Sequence, residues 1–380
     1  MVGIARTLEE AGFATWCVGG AIRDALLGEP NDDVDLATQA TPEQVQQLFR
    51  RTVPVGLKFG TVGVLDPRGR LHEVTTFRRD VATDGRHAVV EFGVSLDDDL
   101  ARRDFTINAV AYHPLRQEWR DPFDGVGDLE RRLIRAVGDP AARFREDFLR
   151  ILRGLRFAAR LGFTIDPPTW GAARDAAVGL ERLSAERVRG EWFRALASAG
   201  SVAGLVGLWR DVGAAPRWLP GLVSAYPFAD PAPQPRDPVL LTIGLVEGSP
   251  DALRTLKASA VEIERAARVG RAPSSPDSAA PAAVRRWLAA VGPAADDLLT
   301  LARWRTGAEA PWAVVVAGIR ARGEATDRGG LAITGDDLKA AGVPSGPAVG
   351  RVLAALLEEV LEDPSCNDRA RLLERAKALQ

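Results

Sequence analysis

The spacing of apolar residues changes character once along this chain, near residue 140, and no other feature narrows the fold as much. Residues 13–135 alternate short β-type runs at 14–18, 34–37, 60–65, Leu71–Thr76 and 89–94 with helical spacing at 4–11, 21–27 and 42–50. Strand side chains repeat every second residue and helical ones every three to four, so the two patterns separate two local structures. From about residue 140 onward apolar residues recur at three and four and strand runs all but vanish. The pattern predicts an α+β chain, with a small mixed-sheet head followed by all-helical segments. Its 380 residues exceed one ordinary core. The expected divisions are a head at 1–138 and helical segments at 139–198, 199–310 and 311–380. The proline-rich stretch 216–238 and the Pro/Ser/Ala-rich stretch 272–282 read as loops between helices, and Trp209, Trp218, Trp287 and Trp304 as core residues.

Composition matters mainly for what it excludes. No run approaches the ~18 apolar residues of a membrane helix, and residues 1–20 lack the basic-then-apolar layout of a signal peptide. No membrane partner and a cytoplasmic location are therefore expected. Cys17 and Cys366 lie far apart, and His72, His87 and His113 share no spacing, so neither a disulfide framework nor a histidine-built metal centre is expected. A metal, if used, falls to carboxylates, which favour Mg2+ or Mn2+. Only four of the 49 basic residues are lysine. Arginine's planar fork suits phosphate and base edges, but a GC-rich genome produces the same bias, so composition alone does not establish nucleic-acid binding.

The chemistry concentrates in one early stretch. Gly19 and Gly20 end a strand and let a ligand approach the backbone. The helix starting near Ala21 offers N–H groups and a positive dipole end to a triphosphate, which Arg23, beside Asp24, would help neutralise. Asp33 and Asp35, two apart on an extended strand, would share a face. There they could hold divalent cations about 4 Å apart that activate an attacking hydroxyl and steady a leaving pyrophosphate. Glu73, on another strand, stands where a third carboxylate belongs. Taken singly, the doublet is also read as a solvated turn and Glu73 as an exposed strand residue.

Together with four later stretches, these residues resemble the polymerase β-type nucleotidyltransferases, and more narrowly the class II tRNA nucleotidyltransferases (CCA-adding enzymes) and the similar bacterial poly(A) polymerases. The stretches are Arg102-Arg103-Asp104-Phe105-Thr106-Ile107-Asn108-Ala109, Asp121-Pro122-Phe123-Asp124-Gly125, Arg145-Glu146-Asp147-Phe148-Leu149-Arg150-Ile151-Leu152-Arg153, and Leu183-Ser184-Ala185-Glu186-Arg187 with Glu191. The resemblance implies that Arg103, Asp104 and Asn108 handle the ribose, that 121–129 links head to neck, and that residues 139–198 form a neck that selects the base.

Asp147 and Arg150, three apart on a helix, would share a face, as an ordinary ion pair would also require. Cytosine and adenine each present an amino donor beside a ring acceptor, which a carboxylate next to a guanidinium can meet. Uracil and guanine put a carbonyl where Asp147 wants a donor. The resemblance implies this base-reading role, with Glu146 and Arg153 in support. It also implies that the polar stretch 78–87 is the family's flexible loop, needed for the last A step, although Gly85-Arg86-His87-Ala88 stands where Arg-Arg-Pro is common. Ile333-Thr334-Gly335-Asp336-Asp337-Leu338 resembles the family's tail, where RNA backbone would be held. No His-Asp pair of a fused phosphohydrolase is present.

The reaction so implied is metal-dependent transfer of CMP and AMP from CTP and ATP to the 3′-hydroxyl of tRNA. Partial CC-only or A-only addition and poly(A) synthesis use the same chemistry. A noncatalytic RNA-binding protein that kept the fold is the reading from another class.

Overall fold

The computed structural model describes residues 1–31, 33–83, 88–222, 227–229 and 236–379. It divides into two compact units, Met1–Trp218 and Leu219–Gln380.

The first unit opens with α1 (Val2–Glu10), β1 (Thr15–Val18), α2 (Gly20–Leu26), β2 (Asp35–Thr38) and α3 (Pro42–Leu48). There follow β3 (Thr52–Gly56), β4 (Thr61–Leu65), β5 (Leu71–Thr76), β6 (Arg78–Thr83), β7 (Ala88–Phe92), α4 (Leu96–Ala101), β8 (Ala111–His113) and β9 (Glu118–Arg120). Seven strands form one sheet in the order β3-β4-β5-β2-β1-β8-β9. The β2–β5 pairing is parallel and the others antiparallel, so the sheet is mixed, as the sequence predicts.

Strand β5 shows how the sheet sorts its faces. His72, Val74 and Thr76 are buried, and Val74 packs with Leu8 of α1, Leu36 and Val45 of α3. Leu71, Glu73 and Thr75 point to the opposite face, as a period of two requires. Helix α3 starts where Thr41 and Gln44 cap each other reciprocally and Pro42 occupies the first turn.

Helices α5 (Gly125–Glu130), α6 (Pro140–Glu146), α7 (Leu149–Leu161), α8 (Pro167–Asp175), α9 (Ala185–Ser198) and α10 (Val202–Asp211) follow in this unit, with a short helix at Ala215–Trp218 and a parallel strand pair at Leu133–Ile134 and Thr164–Ile165. In α7, Leu149, Ile151, Leu152 and Leu155 are buried, giving the apolar stripe its spacing predicts. A Cβ at Gly154 would sit 2.9 Å from Phe105 Cζ, so the helix comes closer to the ring of Phe105 than any other residue there would allow. Gly162, at φ 65°, ends the helix.

Three local expectations need correction. Strand β2 begins at Asp35, not at 34, and Asp33 lies in the loop before it. The side chain of Asn31 accepts from the Asp33 N–H at 3.0 Å, a local turn that competes with strand pairing. The stretch from 78 onward is not simply a loop, because β6 and β7 pair as a separate two-stranded ribbon. Residues 84–87, including the departure at Gly85-Arg86-His87, lie outside the described residues. Finally, Asp147 is not helical, with φ −154° and ψ 106° between α6 and α7.

In the second unit every described regular element is a helix, among them Pro238–Leu245, Ala260–Arg271, Pro281–Val291, Ala295–Thr306, Ala313–Ala321, Pro347–Glu362 and Arg369–Ala378. One core gathers Leu331, Ile333, Leu338, Val352, Leu356, Val360 and Leu372. Arg285, 5% exposed, donates to the Leu361 and Glu362 carbonyls and to Glu324, satisfying groups that a helix end leaves unpaired. Trp287 and Trp304 are buried here, as Trp209 and Trp218 are in the first unit. Among the described residues no helix is long and apolar enough to cross a membrane.

Candidate active site

The metal, triphosphate, ribose and base residues expected from the sequence line one cavity of about 690 Å³ in the first unit, whereas Glu146 stands outside its lining. Gly19, Gly20, Arg23 and Asp24 reach it from the start of α2, Asp33 from the loop before β2, Asp35 and Glu73 from β2 and β5, and Arg103, Asp104 and Asn108 from the segment after α4. Asp147, Arg150 and Arg153 reach it from α7 and the break before it.

Gly19 takes a φ of 82°, a conformation that favours glycine. A Cβ there would lie 3.5 Å from both Asp35 Oδ2 and Arg103 Nη1, so the Asp35 carboxylate and the Arg103 guanidinium both close on the glycine turn. Burial, then the charges of Glu73 and Asp33, push the Asp35 carboxyl up to about 6, against the pull of Arg103. Three carboxylates thus crowd a space that favours an added positive charge. Among the described residues no three Asp, Glu, His or Cys side chains form a ready cage for a metal ion. Magnesium does not need one, since it is commonly held by one or two carboxylates with waters and substrate phosphates.

The arginines expected at the triphosphate and ribose are already braced. Arg23, 3% exposed, donates to Asp24 Oδ1 at 2.8 and 2.6 Å and to Asn108 Oδ1 at 2.8 Å. Asp24 in turn accepts from Asn31 and Arg160. Arg103 donates to the Asn108 carbonyl at 3.2 Å and to Asp99 at 3.3 Å. Asp104 accepts from Arg153 at 2.7 Å, Asn108 at 3.1 Å and the Phe105 N–H at 2.9 Å. Burial works against its charge, but Arg153 and these donors hold its carboxyl below the usual range.

The expected Asp147–Arg150 pair is arranged differently from a helical i,i+3 contact. Asp147 Oδ1 accepts from the Leu149 N–H at 3.0 Å and so helps start α7, while Oδ2 accepts from Arg187 of α9 at 2.6 Å. Arg150 donates to Glu146 at 2.6 Å and to the Arg102 carbonyl at 3.2 Å. Each member is thus oriented by its own partner rather than by the other, and both side chains line the cavity. Arg187, Arg156, Asp99 and Asn31 line it too and were not proposed as site residues from the sequence. Arg187 lies 40 positions from the carboxylate it meets, so only its place in the Leu183–Arg187 stretch hinted at a role. Arg156 is held by the buried Glu191 at 2.7 Å and lies over the Phe157 ring at 4.3 Å.

Comparison with known proteins adds an independent line. Residues 15–135 match the family described as Poly A polymerase head domain, and residues 162–225 the one described as probable RNA and SrmB-binding site of polymerase A. A CCA-adding enzyme of Limosilactobacillus fermentum is 36% identical over 396 aligned positions, covering 98% of this chain and 94% of that protein. With the CCA-adding enzyme of Lactiplantibacillus plantarum the identity is 47%, over 54% of this chain and 50% of the other, so that match spans about half the length of the relative. The Bacillus stearothermophilus CCA-adding enzyme, solved in complex with CTP, superposes with a TM-score of 0.82 at 35% identity over 99% of this chain and 97% of that one.

Proposed function

Since the chain belongs to the CCA-adding enzyme family, we propose that it completes tRNA 3′ ends without a template, transferring CMP and AMP from CTP and ATP in the cytoplasm. The observation that carries this reading is the meeting, in one cavity, of the carboxylates around Asp35 with Asp147 and Arg150.

In the reaction the RNA 3′-oxygen attacks the α-phosphorus of the incoming nucleotide. The O–P bond forms, the bond to pyrophosphate breaks, and the hydroxyl proton leaves. Asp33 and Asp35 would hold Mg2+, or Mn2+ in its place, with Glu73 as the third carboxylate; the crowded negative charge at Asp35 fits such an ion. Bound there, the metal would supply activation of the hydroxyl and neutralisation of the leaving pyrophosphate. The Gly19-Gly20 turn lets phosphate oxygens approach the N–H groups of α2. Arg23 and Asp24 brace that turn, and Arg103, Asp104 and Asn108 take the ribose side. Asp147 and Arg150 present acceptor and donors to the base edge and reject a carbonyl at the position of the amino group. Arg153 contributes by fixing Asp104.

The division into a catalytic head (1–138), a base-selecting neck (139–198), a body (199–310) and a tRNA-holding tail (311–380) belongs to the same proposal. An assay resolving single nucleotides tests it, with Mg2+, labelled CTP or ATP, and tRNAs ending at the discriminator base, at C or at CC. Completion to CCA from all three supports the reading. Arrest at CC, A addition restricted to tRNA-CC, or unlimited A addition would replace it with partial addition or poly(A) synthesis. No incorporation would leave an RNA-binding protein.

A further inference from the structure

The catalytic face of the sheet does not end at Glu73. Val53 of β3 pairs with Gly63 of β4, and Gly63 with Glu73 of β5, so the three stand in one row on one face. Asp35, one place before the Leu36–Val74 pairing, extends this row on β2. Beyond Glu73 the row turns apolar and open. Val53 is 39% exposed, Val55 45% and Leu71 41%, high values for aliphatic side chains beside a reactive site. A Cβ at Gly63 would lie 2.7 Å from Leu71 Cδ1 and 2.9 Å from Val55 Cγ2, so both side chains lean over the glycine and join into a single strip.

We infer that this strip of Val53, Val55 and Leu71 seats the unpaired 3′ end of the RNA strand, holding its last bases and riboses so that the terminal hydroxyl reaches Asp35. The inference rests on the nucleotidyl-transfer reading above. The cavity lined by Asp147 and Arg150 stops at Thr61, Glu73 and Thr75, and the strip begins beside it. Adjacent strands lie about 4.8 Å apart, which puts Val53 about 10 Å from Glu73 across the row, a span of about three stacked nucleotides. Arg51 before β3 and Lys58 after it are exposed and flank the strip with positive charge for backbone phosphates. Pro54, in the middle of this edge strand, removes a donor that a pairing strand from another protein would need. A nucleic-acid end, which docks through base and ribose faces, has no such requirement.

The double variant Val55→Ser/Leu71→Ser tests the inference in the full chain. With tRNA lacking CCA as the primer, KM for tRNA rises about tenfold, the scale of losing contact to about one base, while KM for CTP stays within about twofold. Because both side chains are exposed, the melting temperature changes by no more than about 2 °C. In parallel, a tRNA carrying 4-thiouridine as its last nucleotide crosslinks on irradiation to peptides containing 53–55 or 71. A tRNA KM equal to that of wild type, or crosslinks confined to other peptides, overturns the seat while leaving nucleotidyl transfer intact. So does a wild-type dimer that the variant dissolves in sedimentation, since the strip would then be a contact between two copies. Wild-type protein that adds no nucleotide to any tRNA overturns the reading of the whole site.

Discussion

Arginine is paired with carboxylates in both units, and what sets them apart is the charge left around the cavity of the first. In the second, guanidinium groups are matched to carboxylates and carbonyls: Arg265 bridges Asp237 and Asp297 at 2.7 and 2.6 Å, and Arg285 joins Glu324 to the end of helix Pro347–Glu362. Asp237 and Asp297 drive Arg265 above its ordinary range despite partial burial, as a well-paired charge requires. In the first unit the balance is left incomplete on purpose of geometry. Asp35 is buried among like charges, and its carboxyl is driven up to about 6. Paired charges fasten helices together; the unbalanced ones mark where ligands must supply the missing partner.

That contrast is breakable, most strongly at Asp35. Replacing it with Asn is expected to lower nucleotide addition by at least about a thousandfold, read from single-turnover rates. Yet the same change should stabilise the fold by on the order of 1 kcal/mol, read from denaturant unfolding, because it removes a charge that burial and then its neighbours disfavour. A destabilised Asp35→Asn protein would show that the charge belongs to the fold. In the second unit the signs reverse. Arg285→Ala leaves two carbonyls and one oxygen of Glu324 without their donor, Arg322 keeping the other oxygen, and should cost about 3 kcal/mol of stability, with the affinity for CTP, measured by titration, unchanged.

A smaller effect is expected at the base-reading pair. Arg150→Ala should narrow the preference for CTP over UTP by about tenfold, measured as the ratio of kcat/KM values, with stability changed by less than about 1 kcal/mol. A variant that lost rate equally with every nucleotide would assign Arg150 to general positioning instead. The smallest is Arg286→Ala. This arginine joins Glu358 and Glu362 at the surface, and its loss should shift unfolding only slightly, and by nothing resolvable in high salt.

Local patterns made part of this legible. Strand β5 falls on Leu71–Thr76, as the sequence predicts, because its alternation is uninterrupted. Helix α3 carries its own capping signals at Thr41, Pro42 and Gln44. His72 and His113 pair with Asp66 and Glu9, and Cys17 is buried, its thiol pushed up to about 12 chiefly by burial. Where expectations slipped, side chains were bonding their own neighbourhood. Asn31 captures the Asp33 amide, and Asp147 caps the helix that was expected to contain it. Spacing rules assume a regular backbone, and both residues interrupt it. The β6–β7 ribbon pairs separately from the main sheet. Arg187 could not be placed from spacing at all, since its contact with Asp147 exists only after α7 and α9 pack together.

At the centre stands the claim that one cavity both joins nucleotides and chooses them. Its most direct test is single-turnover addition to tRNA ending at C and at CC, with each of the four nucleoside triphosphates offered alone in Mg2+. The account predicts CMP on the first RNA and AMP on the second, with UMP and GMP rejected on both. Incorporation of all four at similar rates, or of none, would contradict it.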